Sequence, residues 1–322
     1  MSPPPAPRGV TRDSSFGRRF RAWMGERFPL TYGALLLALY GAALLLGRSA
    51  SAARPLALGL LDLGGALSLW GFFLVLRILD EHKDFDGDLR RHPERVLQRG
   101  LVTRGHLKGV ALIAVLVQAA VSLNYDRGLG PVTLRWLLAL GWAGLMYREF
   151  FLGTWLARHR LVQHLSHAAV VPLALLWAAQ MGAGRGALPA VVVVFVALAL
   201  LSDLVFELTR KLRAPEDEQP DEASATRLLG TGRAPLVALG VLLLAAVALG
   251  GLLNAVRGAV SLGPVVAPVL VAAAPAVALL RFRAAPSRAR AHQSEALAGL
   301  STLATYVLII AQLLHDRGAR WN

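Results

Sequence analysis

Apolar stretches near 20 residues long recur along the whole chain and restrict its possible folds more than any other feature. About 20 helical residues cross a hydrocarbon core roughly 30 Å thick, so the expected architecture is an all-α, polytopic integral membrane protein. The stretches run approximately Leu30–Leu46, Leu56–Leu79, Leu107–Leu123, Val132–Met146, Leu165–Met181, Ala187–Phe206, Ala234–Val256, Val260–Leu280 and Ala296–Leu314, which predicts nine transmembrane helices. The fourth is short, and the fifth carries His167 and Gln180. Composition agrees: 55% of residues are hydrophobic and only 17% charged, too little charge for a soluble domain of this size.

The connections alternate between short and long. The long ones, Asp80–His106, Arg148–His164, Glu207–Arg233 and Arg281–Ser294, hold nearly all the remaining polar residues. With nine spans and the N-terminus inside, all four lie on the cytoplasmic side, together with most of the 34 lysines and arginines. That is the positive-inside pattern. The expected location is the cell's inner (plasma) membrane, with the N-terminus and the polar loops cytoplasmic. The net charge of +14 is thereby explained by topology and by attraction to anionic membrane lipids. No nucleic-acid recognition module accompanies it, so nucleic acid is not an expected partner. Cysteine is absent, which excludes disulfides and thiolate metal sites.

Residues 1–28 are rich in Pro and Arg and lack the apolar core and cleavage site of a signal peptide. They read as a disordered basic cytoplasmic tail ahead of a nine-helix domain over 29–322. Arg18, Arg19 and Arg21 beside Phe16, Phe20 and Trp23 suit a segment lying on the membrane surface. No soluble domain is evident. The second and sixth spans each end in acid and continue into a basic loop, a weak internal echo.

Chemistry concentrates where the second span ends, in RILDEHKDFDGDLRRHPERVLQRG. Asp80, Asp84 and Asp88 recur at four-residue spacing, which stacks them along one helical face. Three like charges so close call for a cation. Mg²⁺ is the expected one, because it takes oxygen ligands and commonly shares them with phosphate. Ionisable groups at a membrane helix end are costly and usually functional, so the three aspartates are expected to ligate metal rather than to cap a helix. Glu81, Asp86 and Glu94 are expected to be solvated. Arg95 and Arg99 supply guanidiniums suited to diphosphate oxygens. Asp203 and Glu207, one turn apart and followed by Arg210 and Lys211, read as a facing wall of the same site, the simpler alternative being an ion-pair ladder. Arg148 is placed to reach a phosphate. Glu216, Asp217 and Glu218 read as solvent-facing charge. His164 and His167 have a spacing that zinc tolerates, but no third ligand accompanies them, so packing is the favoured role.

These residues resemble the UbiA superfamily of intramembrane prenyltransferases, whose two cytoplasmic motifs are written NxxxDxxxD and DxxxD. DEHKDFDGD matches the first through Asp84 and Asp88, with Asp80 in place of the asparagine. HPERVLQRG follows where the family has PxRPLxxG, with Val96 at a usual proline. DLVFELTRK, Asp203 to Lys211, stands at the second motif and departs from it. The resemblance implies a UbiA-like bundle of nine helices and a Mg²⁺-dependent transfer of an isoprenoid group from a prenyl diphosphate to an unidentified aromatic or lipid acceptor. It implies metal ligation by the carboxylates and neutralisation of the phosphates by Arg95, Arg210 and Lys211. Trp70, Trp136, Trp142, Tyr147 and Trp177 are candidates to stabilise an allylic cation.

Two rivals follow from the same residues. A CDP-alcohol phosphotransferase needs Ala-Arg after its Asp-Gly pair, whereas Asp86-Gly87 is followed by Asp88-Leu89-Arg90-Arg91. A noncatalytic membrane scaffold or transporter that keeps the fold is consistent with the altered second motif. Transport, however, ordinarily places polar groups near the bilayer midplane.

Overall fold

The computed structural model describes residues 9–49, 55–218, 224–257 and 263–321. The chain divides into two units, one comprising Met1–Tyr40, Leu58–Gly186 and Trp321–Asn322, the other Gly41–Ala57 and Ala187–Arg320.

Into the first unit fall α1 (Phe16–Arg27), the start of α2 (Thr31–Arg48), α3 (Leu60–Lys83), α4 (Phe85–Arg91), α5 (Arg104–Asp126), α6 (Pro131–Tyr147), α7 (Gly153–Arg158), α8 (Arg160–Ala168) and α9 (Val170–Ala183). Helix α3 packs on α5, α5 on α6, α6 on α9, and α9 back on α3. Leu69, Phe72, Ala139, Ala143, Ala174 and Trp177 are fully buried in this ring. Trp177 meets Phe72 edge-on at 5.9 Å, and its indole N–H donates to Ser122 Oγ at 3.2 Å. The ring's large aromatic therefore fills the core without leaving a polar atom unpaired. At the other end, buried Asp126 caps α6, accepting from the Val132 N–H (3.3 Å), the Thr133 N–H (2.7 Å) and the Thr133 hydroxyl (2.8 Å). These are the donors a helix start leaves unpaired.

The second unit holds α10 (Val191–Arg210), α11 (Ala225–Leu229), α12 (Ala234–Arg257), α13 (Gly263–Ala284) and α14 (Arg288–Arg317). The same order recurs: α10 packs on α12, α12 on α13, α13 on α14, and α14 back on α10. Val205, Leu212, Ala238, Leu242, Leu279 and Phe282 belong to its core. A short sheet joins β1 (Leu56–Leu58) to β2 (Ala319–Trp321), with the Leu56 N–H donating to the Gly318 carbonyl at 3.0 Å. In each unit the first helix of the ring carries the acidic residues singled out in the sequence near its C-terminal end: Asp80 in α3, and Asp203 and Glu207 in α10.

Eight helices among the described residues are long and apolar enough to cross a membrane. The fourth expected span, α6, is not among them: its 17 residues rise only about 25 Å at 1.5 Å per residue. The fifth spans Leu165–Ala183, from the end of α8 through α9. Lipid contact is written on the outer faces. Leu112, Ile113 and Leu116 of α5, Leu243, Leu244 and Val247 of α12, and Val269 and Leu270 of α13 are all exposed. Apolar surface on this scale is stable beside acyl chains rather than water.

The reading of residues 1–28 as a disordered tail is corrected over its second half, where α1 forms. Trp23 is fully buried, and Phe16, Phe20 and Trp23 stack in sequence at 5.7 and 5.6 Å. Phe16 also meets the His106 ring at 5.0 Å. The aromatic face expected on lipid thus packs on protein, which the tail's Pro and Arg content conceals.

Candidate functional site

The three aspartates of the first unit keep their four-residue register across a break in the helix. Asp84 is both the last cap of α3 and the first of α4, yet the ladder continues through it. The Asp84 N–H donates to the Asp80 carbonyl (2.9 Å), Asp88 to Asp84 (2.8 Å), and His92 to Asp88 (2.7 Å). Asp80 and Asp84 are exposed and, among the described residues, make no side-chain hydrogen bond or ion pair. Asp88 is held: its Oδ2 accepts from Arg95 Nη1 at 2.8 Å and from Arg27 Nη2 at 3.5 Å.

Arg27 is the last residue of α1, and its guanidinium also pairs with Glu81. Glu81 is 1% exposed, not solvated as expected, and Arg77 donates to it at 2.9 Å. A carboxylate taken from water at this depth needs such partners, because desolvation is otherwise unopposed. Asp86 and Glu94 are exposed, as their spacing predicts. The loop between α4 and α5 is pinned under α1. Val96, Leu97, Leu101 and Val102 are buried, the Val96 N–H donates to Glu26 Oε2 (2.9 Å), and Arg19 donates to the Leu101 carbonyl (3.0 Å). Burial raises the Glu26 carboxyl above the ordinary range, against the Val96 N–H and the charges of Arg95, Arg27 and Arg99.

A second cluster in this unit escaped the sequence reading. Glu149 pairs with Lys83, one residue before Asp84, accepts from Gln163 at 3.5 Å, and lies 3.8 Å from His167. It sits on a turn of three successive non-glycine residues with left-handed backbone, Glu149, Phe150 and Phe151 at φ 49°, 54° and 59°. Such geometry costs roughly 1–2 kcal/mol per residue. Phe150 packs edge-on to Trp142 (5.2 Å) and His167 (6.3 Å), which holds the turn. His167 therefore serves in packing and pairing; the side chain of His164 lies outside the described residues. Burial pushes the Glu149 carboxyl up, but Lys83, His167 and Gln163 together outweigh it and hold the carboxyl below its usual range. A folded pKa below the unfolded one adds stability above the unfolded value, lost as pH falls through the folded value. Wild-type protein should therefore lose melting temperature on acidification through that range more steeply than Glu149→Gln. Parallel acid limbs would contradict the pairing.

In the second unit Glu207 accepts from Arg210 Nε (3.0 Å) and Nη2 (2.6 Å) and pairs with Lys211 at 2.8 Å. That is the intrahelical ladder, with both basic residues engaged by the acid they follow. Asp203, one turn earlier, is exposed. Asp217 and Glu218 are not free charge as read: Arg288 grips both oxygens of Asp217, and Ser224 donates to Glu218 at 2.8 Å. Glu216 is exposed. Of the remaining expected phosphate ligands, Arg99 and Arg148 are exposed and make no side-chain hydrogen bond among the described residues. Of the aromatic candidates, Trp136 donates to Gln118 (3.1 Å), Trp142 donates to the Ser166 carbonyl (2.9 Å), and Trp177 is engaged with Ser122; Trp70 stands edge-on to Phe28 (5.4 Å) and Tyr147 is half-buried.

No three His, Asp or Glu side chains among the described residues gather into a metal-binding group. The donor chemistry suits a hard cation: Asp80 and Asp84 are exposed and make no hydrogen bond or close ion pair among the described residues, and Asp88 has one oxygen without a hydrogen bond.

No family model and no curated protein matches the sequence. Solved structures do resemble it. A digeranylgeranylglyceryl phosphate synthase shares 12% identity and a TM-score of 0.61, over 92% of this chain and 99% of its own. A UbiA homolog from Aeropyrum pernix K1 shares 17% identity and a TM-score of 0.58, over 89% of this chain and 98% of its own. At such identities the likeness establishes a shared fold.

Proposed function

We propose that the chain is a divergent member of the UbiA superfamily of intramembrane prenyltransferases. It moves an isoprenoid group from a prenyl diphosphate to an aromatic or lipid acceptor. The observation that carries this reading is a UbiA-like fold over nine-tenths of the chain, in which exposed Asp80 and Asp84 end α3 in register with Asp88. Fold alone does not select a chemistry; the exposed carboxylates at the end of α3 are what supports this one.

Asp80, Asp84 and Asp88 would hold Mg²⁺, which when bound supplies positive charge to the leaving diphosphate. Mg²⁺ keeps several waters and binds through one or two carboxylates plus substrate phosphates, so the protein need not gather a three-acid cage in advance. Asp203 and Glu207 are the second acidic pair. In the first unit Arg99 and Arg148 would neutralise phosphate oxygens while the allylic C–O bond breaks, its electron pair leaving on the diphosphate. The acceptor bonds to the released carbon as its O–H or ring C–H proton passes to the diphosphate. Arg210 and Lys211 belong to the second unit's own acidic motif. The isoprenoid tail lies among apolar helices that exclude water. The site faces the cytoplasm, as the basic loops favour.

Binding of a labelled prenyl diphosphate to detergent-purified protein, lost with EDTA, is the expected result; metal-independent or absent binding would contradict it. Glu207 separates this reading from a noncatalytic scaffold that keeps the fold. Its two ion pairs are partly solvated and worth about 0–1 kcal/mol, so Glu207→Gln should melt like wild type yet turn over at least about tenfold more slowly. Full activity would move the second acidic ligand elsewhere.

A further inference from the structure

We infer that Arg27, at the end of α1, is a positioning residue for the first acidic motif, and that Arg95 shares this role instead of binding substrate. The inference rests on the metal–diphosphate reading above and adds to it. Both guanidiniums approach the same atom: Arg95 Nη1 is 2.8 Å and Arg27 Nη2 3.5 Å from Asp88 Oδ2. Both side-chain hydrogen bonds to Asp88 among the described residues end on Oδ2, which leaves Oδ1 without one. A carboxylate held through one oxygen presents the other in a fixed direction, the arrangement that raises affinity when a ligating group is hydrogen-bonded from behind.

Arg27 cannot swing away freely, because the same side chain pairs with buried Glu81 through Oε1, the oxygen that also accepts from Arg77. The helix carrying Arg27 is itself fastened at three places. Trp23 is buried, Glu26 receives the Val96 N–H, and Arg19 reaches the Leu101 carbonyl. Val96 and Arg95 are neighbours in the loop, so Glu26 and Arg27 secure adjacent links of one chain: α1 to loop, loop to Arg95, Arg95 to Asp88. Arg95 is 13% exposed at its side chain, and its Nη1 is spent on Asp88, which leaves it poorly placed to meet an incoming diphosphate. The basic segment before the first span is thus a working part of the site.

The test uses full-length protein in detergent and Mn²⁺ as a paramagnetic probe read by EPR, alongside melting curves and the Mg²⁺ dependence of prenyl diphosphate binding. Arg27→Gln is expected to weaken Mn²⁺ binding about 10- to 100-fold. Arg27→Lys should recover part of it, since an ammonium keeps the charge but cannot fork between two carboxylates. In the pair Arg27→Gln with Glu81→Gln, Arg77 loses its acid, so melting should stay below wild type, and metal affinity should stay as low as in Arg27→Gln. If the pair restores metal affinity, Arg27 acts only through Glu81 and the inference is overturned. Mn²⁺ affinity of Arg27→Gln within twofold of wild type would overturn it as well. Wild-type protein that binds no Mn²⁺ at all would remove the metal reading and this inference together.

Discussion

Replacing Asp84 by Asn is expected to lower turnover of prenyl diphosphate by about 10²–10³-fold or more, while the protein inserts and melts as wild type. The size follows from removing charge stabilisation aimed at the leaving group in a water-poor site. The clean separation from folding follows from geometry. Asp84 is exposed, and its side chain makes no cap hydrogen bond at the α3–α4 junction. A substitution at such a position shifts stability by no more than about 0.5 kcal/mol. Asp88→Asn should also abolish turnover, but it disturbs Arg95 and Arg27 and so reads both chemistry and structure. Steady-state rates beside melting curves for the two variants decide the matter. Wild-type rates in both would end the assignment of metal to this motif.

The largest expected effect on stability is at Glu81. Glu81→Ala leaves Arg27 and Arg77 facing each other in a site where the acid was 1% exposed. Breaking a buried pair from one side costs roughly 3–5 kcal/mol, because the remaining charge is uncompensated. Two guanidiniums share this acid, which places the variant toward the upper end. Its melting temperature in detergent should fall by several degrees, with α1 the first element to become accessible to protease. An unchanged melting curve would mean that Glu81 is not the electrostatic anchor of α1.

What the sequence disclosed and what it hid divide along the range of the interactions. The spanning helices were legible because burial in lipid imposes its signal on every residue of a run; α3, α10, α12 and α14 stand within a few residues to about a turn or two of their expected positions, apart from the N-terminal extension of α14. The aspartate register was legible because a four-residue spacing is a local property of one helix. Arg77–Glu81 and Glu207–Lys211 carry the same spacing, and the first could have warned that Glu81 was paired. Arg27 with Glu81, Lys83 with Glu149 and Arg288 with Asp217 join residues 54, 66 and 71 apart, and no periodicity encodes such pairs. The same limit hid α1. Its sequence is basic enough to resemble a solvated tail, and only the loop beneath it, with Val96 and Val102 buried, shows why it is ordered.

The most direct test of the account is diphosphate release from prenyl diphosphates of ten to twenty carbons and longer. Purified protein would be assayed with Mg²⁺, with and without a membrane-lipid extract as acceptor source. Release that requires both Mg²⁺ and the extract, and that Asp84→Asn abolishes, is the predicted result. Metal-dependent binding of no chain length, with no diphosphate released, would contradict it and leave a membrane scaffold that shares the fold without the chemistry.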